Sequence, residues 1–407
     1  MTSTGNNNTD PFAEIRPYTD DEIRPVLDRL LEDDEFIRSL TAFGCPRLNR
    51  WLPAPARWLT RRTLRRQLRH VRDVSSMQDV IAGYMDKMIE RTTTGLTNSG
   101  LDGLSPERPY LFISNHRDIA MDPAFVNYML YHGGFDTLHI AIGDNLLKRP
   151  FVTDLMRLNK SFIVKRSLKG RELLKSSRQL SEYIHDCISR NNNIWIAQRE
   201  GRAKDGVDRT ETGLLKMLGM ARRDLGLGGA LGELNIVPVA ISYEFDPCDA
   251  LKAEELYQKE ITGTYEKDEN SDIHSIVTGM IGFKGHVHVA FGTPLTDISD
   301  DAEEVAQQID RQLIREYRLQ GTNRLGLEKL VESEPQAVPA LQAMPEWEIG
   351  ADSRQRFEER LAAVPPALRP YMLKMYANPV ISRRADQDSD PFAEPGEDQP
   401  GTGARPD

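Results

Sequence analysis

His116 stands where an apolar run ends, in the segment PYLFISNHRDIAMDPAF from Pro109 to Phe125, with two carboxylates close behind it, Asp118 and Asp122. Tyr110, Leu111, Phe112 and Ile113 are residue types of a short buried strand, and Asp122-Pro123 supplies an N-cap and a first-turn proline for a helix through about Leu130. A loop held at both ends in this way can fix an imidazole against an acid while its second ring nitrogen faces a substrate. General-base chemistry needs that arrangement. Neutral imidazole near pH 7 can take the proton of an attacking hydroxyl, a contribution of about a hundredfold to ten-thousandfold. A carboxylate on the other ring nitrogen fixes the tautomer and stabilises the imidazolium. One His followed by Asp is common, and a satisfied polar residue is its plainer reading, so further residues must carry the case.

Two arginines occupy similar strand ends. Arg166 follows Phe162-Ile163-Val164, and Arg202 follows Gly201 after Ile194-Trp195-Ile196. Arginine's planar fork binds phosphate oxygens bidentately, and open α/β sheets bind ligands beyond the carboxyl ends of their strands, where His116 also stands. A single such arginine is ordinarily a solvated charge; two at equivalent positions weigh toward a site. Lys160, Lys165 and Arg199 are second-rank cations, and Lys204, Asp205 and Arg209 read as loop charges. No GxSxG elbow occurs, and Cys45, Cys187 and Cys248 sit in no CxxC or nucleophile context.

The elements that must position these residues follow from period and punctuation. Asp20 to about Leu40 and about Pro55 to Arg91 read as helices, giving a helical N-terminal region over 10–104. From 105 to 320, apolar strands near Tyr110, Leu138, Phe162, Ile194, Ile236 and Val287 alternate with helical stretches at Lys169–Ser189, Glu211–Leu225 and Asp301–Leu319. That alternation predicts an α/β fold, a central mixed, largely parallel sheet covered by helices. Helices near Arg324–Ser333 and Asp352–Ala363 form a C-terminal part over 321–384. Residues 1–9 and 385–407 are polar, the latter rich in Asp, Pro and Gly, and are expected to be disordered.

With 407 residues, 39% hydrophobic and 28% charged, the composition is that of a globular protein with ample core. A formal charge of -10 argues against nucleic-acid binding. Three cysteines without framework spacing point to a reducing compartment, and MTSTGNNNTDPF has neither the basic start nor the apolar core of a secretory signal. No apolar stretch approaches the roughly 20 residues of a membrane span. The expected location is cytoplasmic, with peripheral attachment to the inner face of the cytoplasmic membrane left open. The reason is Trp51–Arg72, where Arg57, Arg61, Arg62, Arg65, Arg66, Arg69 and Arg72 occur with no acid, beside Trp51, Leu52, Trp58, Leu59, Leu64, Leu68 and Val71. Such a basic amphipathic helix suits an anionic membrane surface, a core-packed helix with solvated arginines, or an acidic acyl carrier protein.

Four of these segments, in order, resemble one family, the glycerolipid acyltransferases. SNHRDIAMDPAF is similar to the family's NHxxxxD block, SFIVKRS to its second block, IWIAQREGRAKDG to its third, and NIVPVAISYE with FGTPL to the fourth and the strand end after it; together they cover roughly Tyr110 to Leu295. The resemblance implies an α/β glycerol-3-phosphate acyltransferase-like fold. It also implies O-acyl transfer from acyl-CoA or acyl carrier protein to glycerol 3-phosphate or its 1-acyl derivative in phospholipid biosynthesis. His116 would be the base, with Arg166, Gly201, Arg202, Lys165 and Glu200 around the substrate. No metal or other cofactor is then expected, since a thioester is already activated. The family places its acid five residues after the histidine, whereas here Asp122 is six after and Asp118 two after. Asp122 keeps the Asp-Pro-Ala context, Asp118 remains the alternative partner, and the third block aligns on Glu200-Gly201 or on Gly201-Arg202. The irregular spacing also admits a catalytically silent lipid-binding protein of the same fold, and the enzyme reading admits a lyso-lipid or amine acceptor.

Overall fold

A computed structural model describes residues 10–265, 271–344 and 349–389. The expectations for residues 1–9 and for 390–407 lie outside the described residues. Among the described residues there are seven strands: β1 (Thr93–Ser99), β2 (Leu111–Ser114), β3 (His139–Gly143), β4 (Ser161–Val164), β5 (Ile194–Ala197), β6 (Ile236–Tyr243) and β7 (Gly285–Phe291). The chain divides into two units, residues 1–84 with 138–183 and residues 85–137 with 184–407.

The second unit carries His116. Its strands lie in the order β1-β7-β6-β2-β5. β2 runs parallel to both β5 and β6, β1 runs parallel to β7, and only β6 with β7 is antiparallel. This is the mixed, largely parallel sheet that the alternation of elements predicts. Every residue of β2 and of β6 is buried, as expected of parallel strands covered on both faces. One cover is the helix Ala302–Glu316, whose Val305, Ile309 and Leu313 recur every four residues, are buried, and pack on the β6 side. Gly285 takes φ +62°, and a side chain there would strike Glu244 and Phe245.

In the first unit, β3 and β4 pair in parallel. Ile23, Val26, Leu27 and Leu30 form one stripe of the helix Asp20–Glu32 and join Phe36, Ile37, Val71, Phe151 and Leu158 in a core. No described helix is long and apolar enough to cross a membrane.

Several elements differ from the sequence reading. β1 falls inside the stretch read as helical over 10–104; TTGLTNS has no apolar alternation, and its strand state comes from pairing with β7. Asp33 divides the first expected helix by accepting the Phe36 N–H and capping Asp34–Gly44. The Pro55–Arg91 stretch is two helices, Pro53–Gln67 and Val74–Thr92. Helices at Asp249–Thr262 and Ser271–Ile281 had no counterpart in the reading. Residues 385–389, read as disordered tail, are the last turn of the helix Arg369–Ser389, where Asp386 pairs with Arg315 at 2.9 Å.

Candidate active site

β2 delivers His116 to the site through Asn115, whose side chain ties the strand end to β6. Asn115 Nδ2 donates to the Ile241 carbonyl at 3.1 Å, and its Oδ1 accepts the Ile241 N–H at 2.8 Å. The next residue is His116. Its carbonyl accepts the Ala203 N–H at 2.8 Å, so the loop after β5 is fastened to the histidine's own backbone. The ring meets Trp195 edge-on, with centroids 5.8 Å apart, and its side chain is 13% exposed.

His116 Nδ1 lies 2.9 Å from Asp122 Oδ2. The same oxygen accepts the Arg117 N–H at 2.6 Å and the Asp118 N–H at 2.8 Å, and Asp122 Oδ1 accepts the Tyr243 hydroxyl at 2.7 Å. Asp122 is fully buried, so four donors converge on a carboxyl with no access to water. With its proton on Nδ1 and donated to Asp122, the imidazole presents Nε2 as an acceptor, and Nε2 makes no hydrogen bond among the described residues. The additional residue between His116 and the acid does not keep the two apart.

The N-cap reading of Asp122 is corrected by this geometry. The helix runs Met121–His132, Asp122 lies in its first turn, and its oxygens turn back to the loop. Asp118 does the capping: Oδ1 accepts the Ala120 N–H at 3.0 Å and the Met121 N–H at 2.9 Å. Its Oδ2 is buried without a hydrogen-bond partner among the described residues and abuts Gly279, where a Cβ would come within 2.1 Å of it. Burial, and then the neighbouring Asp122 charge, raise the Asp118 carboxyl above the ordinary aspartate range. The structure therefore gives Asp118 a place beside the dyad and no bond to His116.

Arg202 is buried, with Nη2 3.4 Å from Ser275 Oγ and Nη1 without a partner among the described residues. Gly201 before it takes φ +75° with open space around it, so glycine is needed there for backbone conformation. Glu200 is exposed, and its N–H donates to Glu211 at 3.3 Å. Arg166 and Lys165 belong to the first unit. The Arg166 N–H donates to Asp144 at 3.1 Å, its guanidinium lies against Gly143, and Lys165 pairs with Glu14 at 2.7 Å.

Sequence reasoning missed three contributors. Tyr243 lies 121 positions from the carboxylate it bonds, and nothing local in ISYE marks it. Arg117 is buried, pairs with Asp208 at 2.6 Å, and donates to the Ala203 and Gly206 carbonyls, each at 3.2 Å. That pair locks the loop after β5 to the His116 loop; burial pushes the Asp208 carboxyl up while Arg117 opposes the shift. Ser275 reaches Arg202 from the helix Ser271–Ile281, a segment the reading left unassigned. Lys204, read as a loop charge, is paired with Glu255 at 2.6 Å, and burial lowers its ammonium to about 8.

Residues 95–242 match the family model described as Acyltransferase, a span that contains His116, Asp118, Asp122, Lys165, Arg166, Glu200, Gly201 and Arg202 and stops one residue before Tyr243. A domain of this acyltransferase family therefore lies within residues 95–242. Among curated relatives, the chain is 27% identical over 259 residues to a glycerol-3-phosphate acyltransferase of Pseudomonas syringae pv. syringae, an alignment covering 61% of this chain and 29% of that one. It is 28% identical over 187 residues to the glycerol-3-phosphate acyltransferase of Pasteurella multocida and 29% identical over 187 residues to that of Actinobacillus succinogenes. These alignments cover 46% of this chain in each case and 22% and 21% of the relatives. The chain thus spans less than a third of the length of these curated relatives. A solved 1-acyl-sn-glycerophosphate acyltransferase from Thermotoga maritima aligns over 72% of this chain and 97% of its own at 13% identity, with a TM-score of 0.35, too low to argue from.

The dyad's support can be tested at Tyr243, a positioning residue in this arrangement. Tyr243→Phe removes one charge-assisted hydrogen bond, of about 1.5–3 kcal/mol, from Asp122. The expected result in steady-state assays is a loss of about tenfold or more in kcat with both Michaelis constants nearly unchanged. Unchanged kcat in the folded variant would show that Asp122 is held well enough by the loop amides alone.

Proposed function

We propose that the chain transfers a fatty acyl group from an acyl thioester, acyl-CoA or acyl carrier protein, to a hydroxyl of glycerol 3-phosphate or 1-acylglycerol 3-phosphate, with His116 as base and Asp122 as its partner. The observation that carries the reading is the 2.9 Å contact of His116 Nδ1 with a fully buried Asp122, which leaves Nε2 as the acceptor. The acceptor hydroxyl gives its proton to Nε2 while its oxygen attacks the thioester carbonyl carbon. The tetrahedral intermediate collapses with cleavage of the C–S bond, and the imidazolium returns the proton to the leaving thiolate. No acyl-enzyme forms, because the histidine acts on the acceptor itself. The work takes place in the cytoplasm, at the inner face of the cytoplasmic membrane.

Arg202 holds the acceptor phosphate in this reading, supported by its buried guanidinium with an unpartnered Nη1. Arg202→Ala should raise the acceptor Michaelis constant by about one to two orders of magnitude, as loss of a charged hydrogen bond of about 1.5–3 kcal/mol implies, with donor affinity little changed. An unchanged acceptor constant in the folded variant would show that the phosphate is held elsewhere.

Purified full-length protein given labelled acyl-CoA or acyl carrier protein, with each acceptor in turn, tests the function. Ester formation on a phosphate-bearing glycerol is the expected result. Transfer only to a phosphate-free lyso-lipid or an amine would contradict the acceptor assignment, and no transfer by folded protein would contradict the enzyme.

A further inference from the structure

We infer that the outer face of the helix Pro53–Gln67, with its two flanks, is a docking surface for anionic phospholipid headgroups. The inner face of this helix is already committed. Ala56 is buried, Thr60 shares a hydrogen bond with Thr41 at 3.0 Å, and Leu64 packs against the core of Ile23, Leu27 and Leu30, as does Leu68 just beyond the helix. The outer face is apolar and open: Trp51 is 79% exposed, Trp58 62% and Leu59 45%.

Charge separates the two faces further. Arg61 pairs with Asp34 at 2.8 Å and Arg65 pairs with Glu32, so these two cations are neutralised locally. Arg62 lies over the Trp58 ring at 5.4 Å. Arg62, Arg66 and Arg69, with His70 and Leu59, line a shallow concavity of about 540 Å³ that no acid borders. Arg69 Nε donates to His70 Nε2 at 2.6 Å, which orders its rim. In a chain of formal charge -10, three arginines without acid partners among the described residues, beside exposed tryptophans, form a local exception. The cations fit phosphate headgroups, and the indoles fit the boundary beneath them. A soluble acidic protein would match the charge and leave the tryptophans unexplained.

This deepens the peripheral part of the proposed function and is separable from it, because vesicle binding requires no acyl transfer. Full-length protein is sedimented with vesicles of equal parts phosphatidylglycerol and phosphatidylcholine, and with phosphatidylcholine alone. Retention is expected only on the anionic vesicles, falling as salt rises and the Debye length shrinks from about 10 Å at 0.1 M to about 3 Å at 1 M. The double variant Arg62→Gln, Arg66→Gln should bind about thirtyfold more weakly, at about 1 kcal/mol for each cation near the surface. Trp58→Ala should weaken binding too. The pair Arg61→Gln, Asp34→Asn removes an ion pair without changing net charge and should bind like the parent. Parent-like sedimentation of the Arg62, Arg66 variant overturns the inference. So does retention by acyl carrier protein with none by anionic vesicles.

Discussion

Asp122→Asn is expected to reduce acyl transfer by up to about ten-thousandfold, the size of the loss when the orienting aspartate of a Ser-His-Asp site is changed in the same way. The amide keeps an oxygen for the His116, Arg117 and Asp118 donors, and the Tyr243 hydroxyl can rotate to accept from the new NH2 group. What disappears is the negative charge that stabilises the imidazolium as the proton moves. The variant should fold with a lowered Tm, since the His116, Arg117 and Asp118 donors, at 2.6–2.9 Å, now meet a neutral group in place of a carboxylate. Asp118→Asn should lose far less rate. Its Oδ1 role at the helix start is one an amide oxygen can fill, and the described structure gives it no bond to His116. Rates for the two folded variants in one assay decide between the acids, and the reverse order would give Asp118 the partnership with His116.

His116→Ala should remove catalysis of about a hundredfold to ten-thousandfold. The ring touches Trp195 on one side and solvent on another, so its loss leaves β2, Asn115 and the Arg117–Asp208 pair in place. A small Tm change is expected, together with an unchanged Michaelis constant for the phosphate-bearing acceptor, whose phosphate the proposed reading gives to Arg202. A folded variant with full activity would exclude imidazole as the base.

How far the site can be read from sequence depends on distance along the chain. His116, Asp118 and Asp122 lie within one strand-loop-helix segment, and the types around them announce that segment: β-rich apolar residues before, Asp-Pro after. Which carboxylate meets the ring was not legible, because it turns on where two backbone N–H groups of the loop point. Tyr243, Asp208 and Ser275 reach the site only through the sheet order and the packing of later helices, and none carries a local mark. The fold shows the same division. β2, β5 and β6 announce themselves as apolar runs because they are buried on both faces, whereas β1 is half polar and exists through its pairing with β7. On Trp51–Arg72 the amphipathic pattern was plain, and the identity of the unpaired arginines waited on Asp34 and Glu32 from neighbouring helices.

Direct transfer from thioester to acceptor, with no acylated protein in between, is the central claim, and intact-mass measurement tests it most directly. The protein is held with excess acyl-CoA or acylated carrier protein in the absence of acceptor, its mass is recorded, and glycerol 3-phosphate or 1-acylglycerol 3-phosphate is then added while ester product is followed. The expected result is an unmodified protein mass throughout, little release of free thiol before acceptor, and one thiol released for each ester formed afterwards. An acylated protein that forms without acceptor and discharges to it at the rate of turnover would contradict the claim.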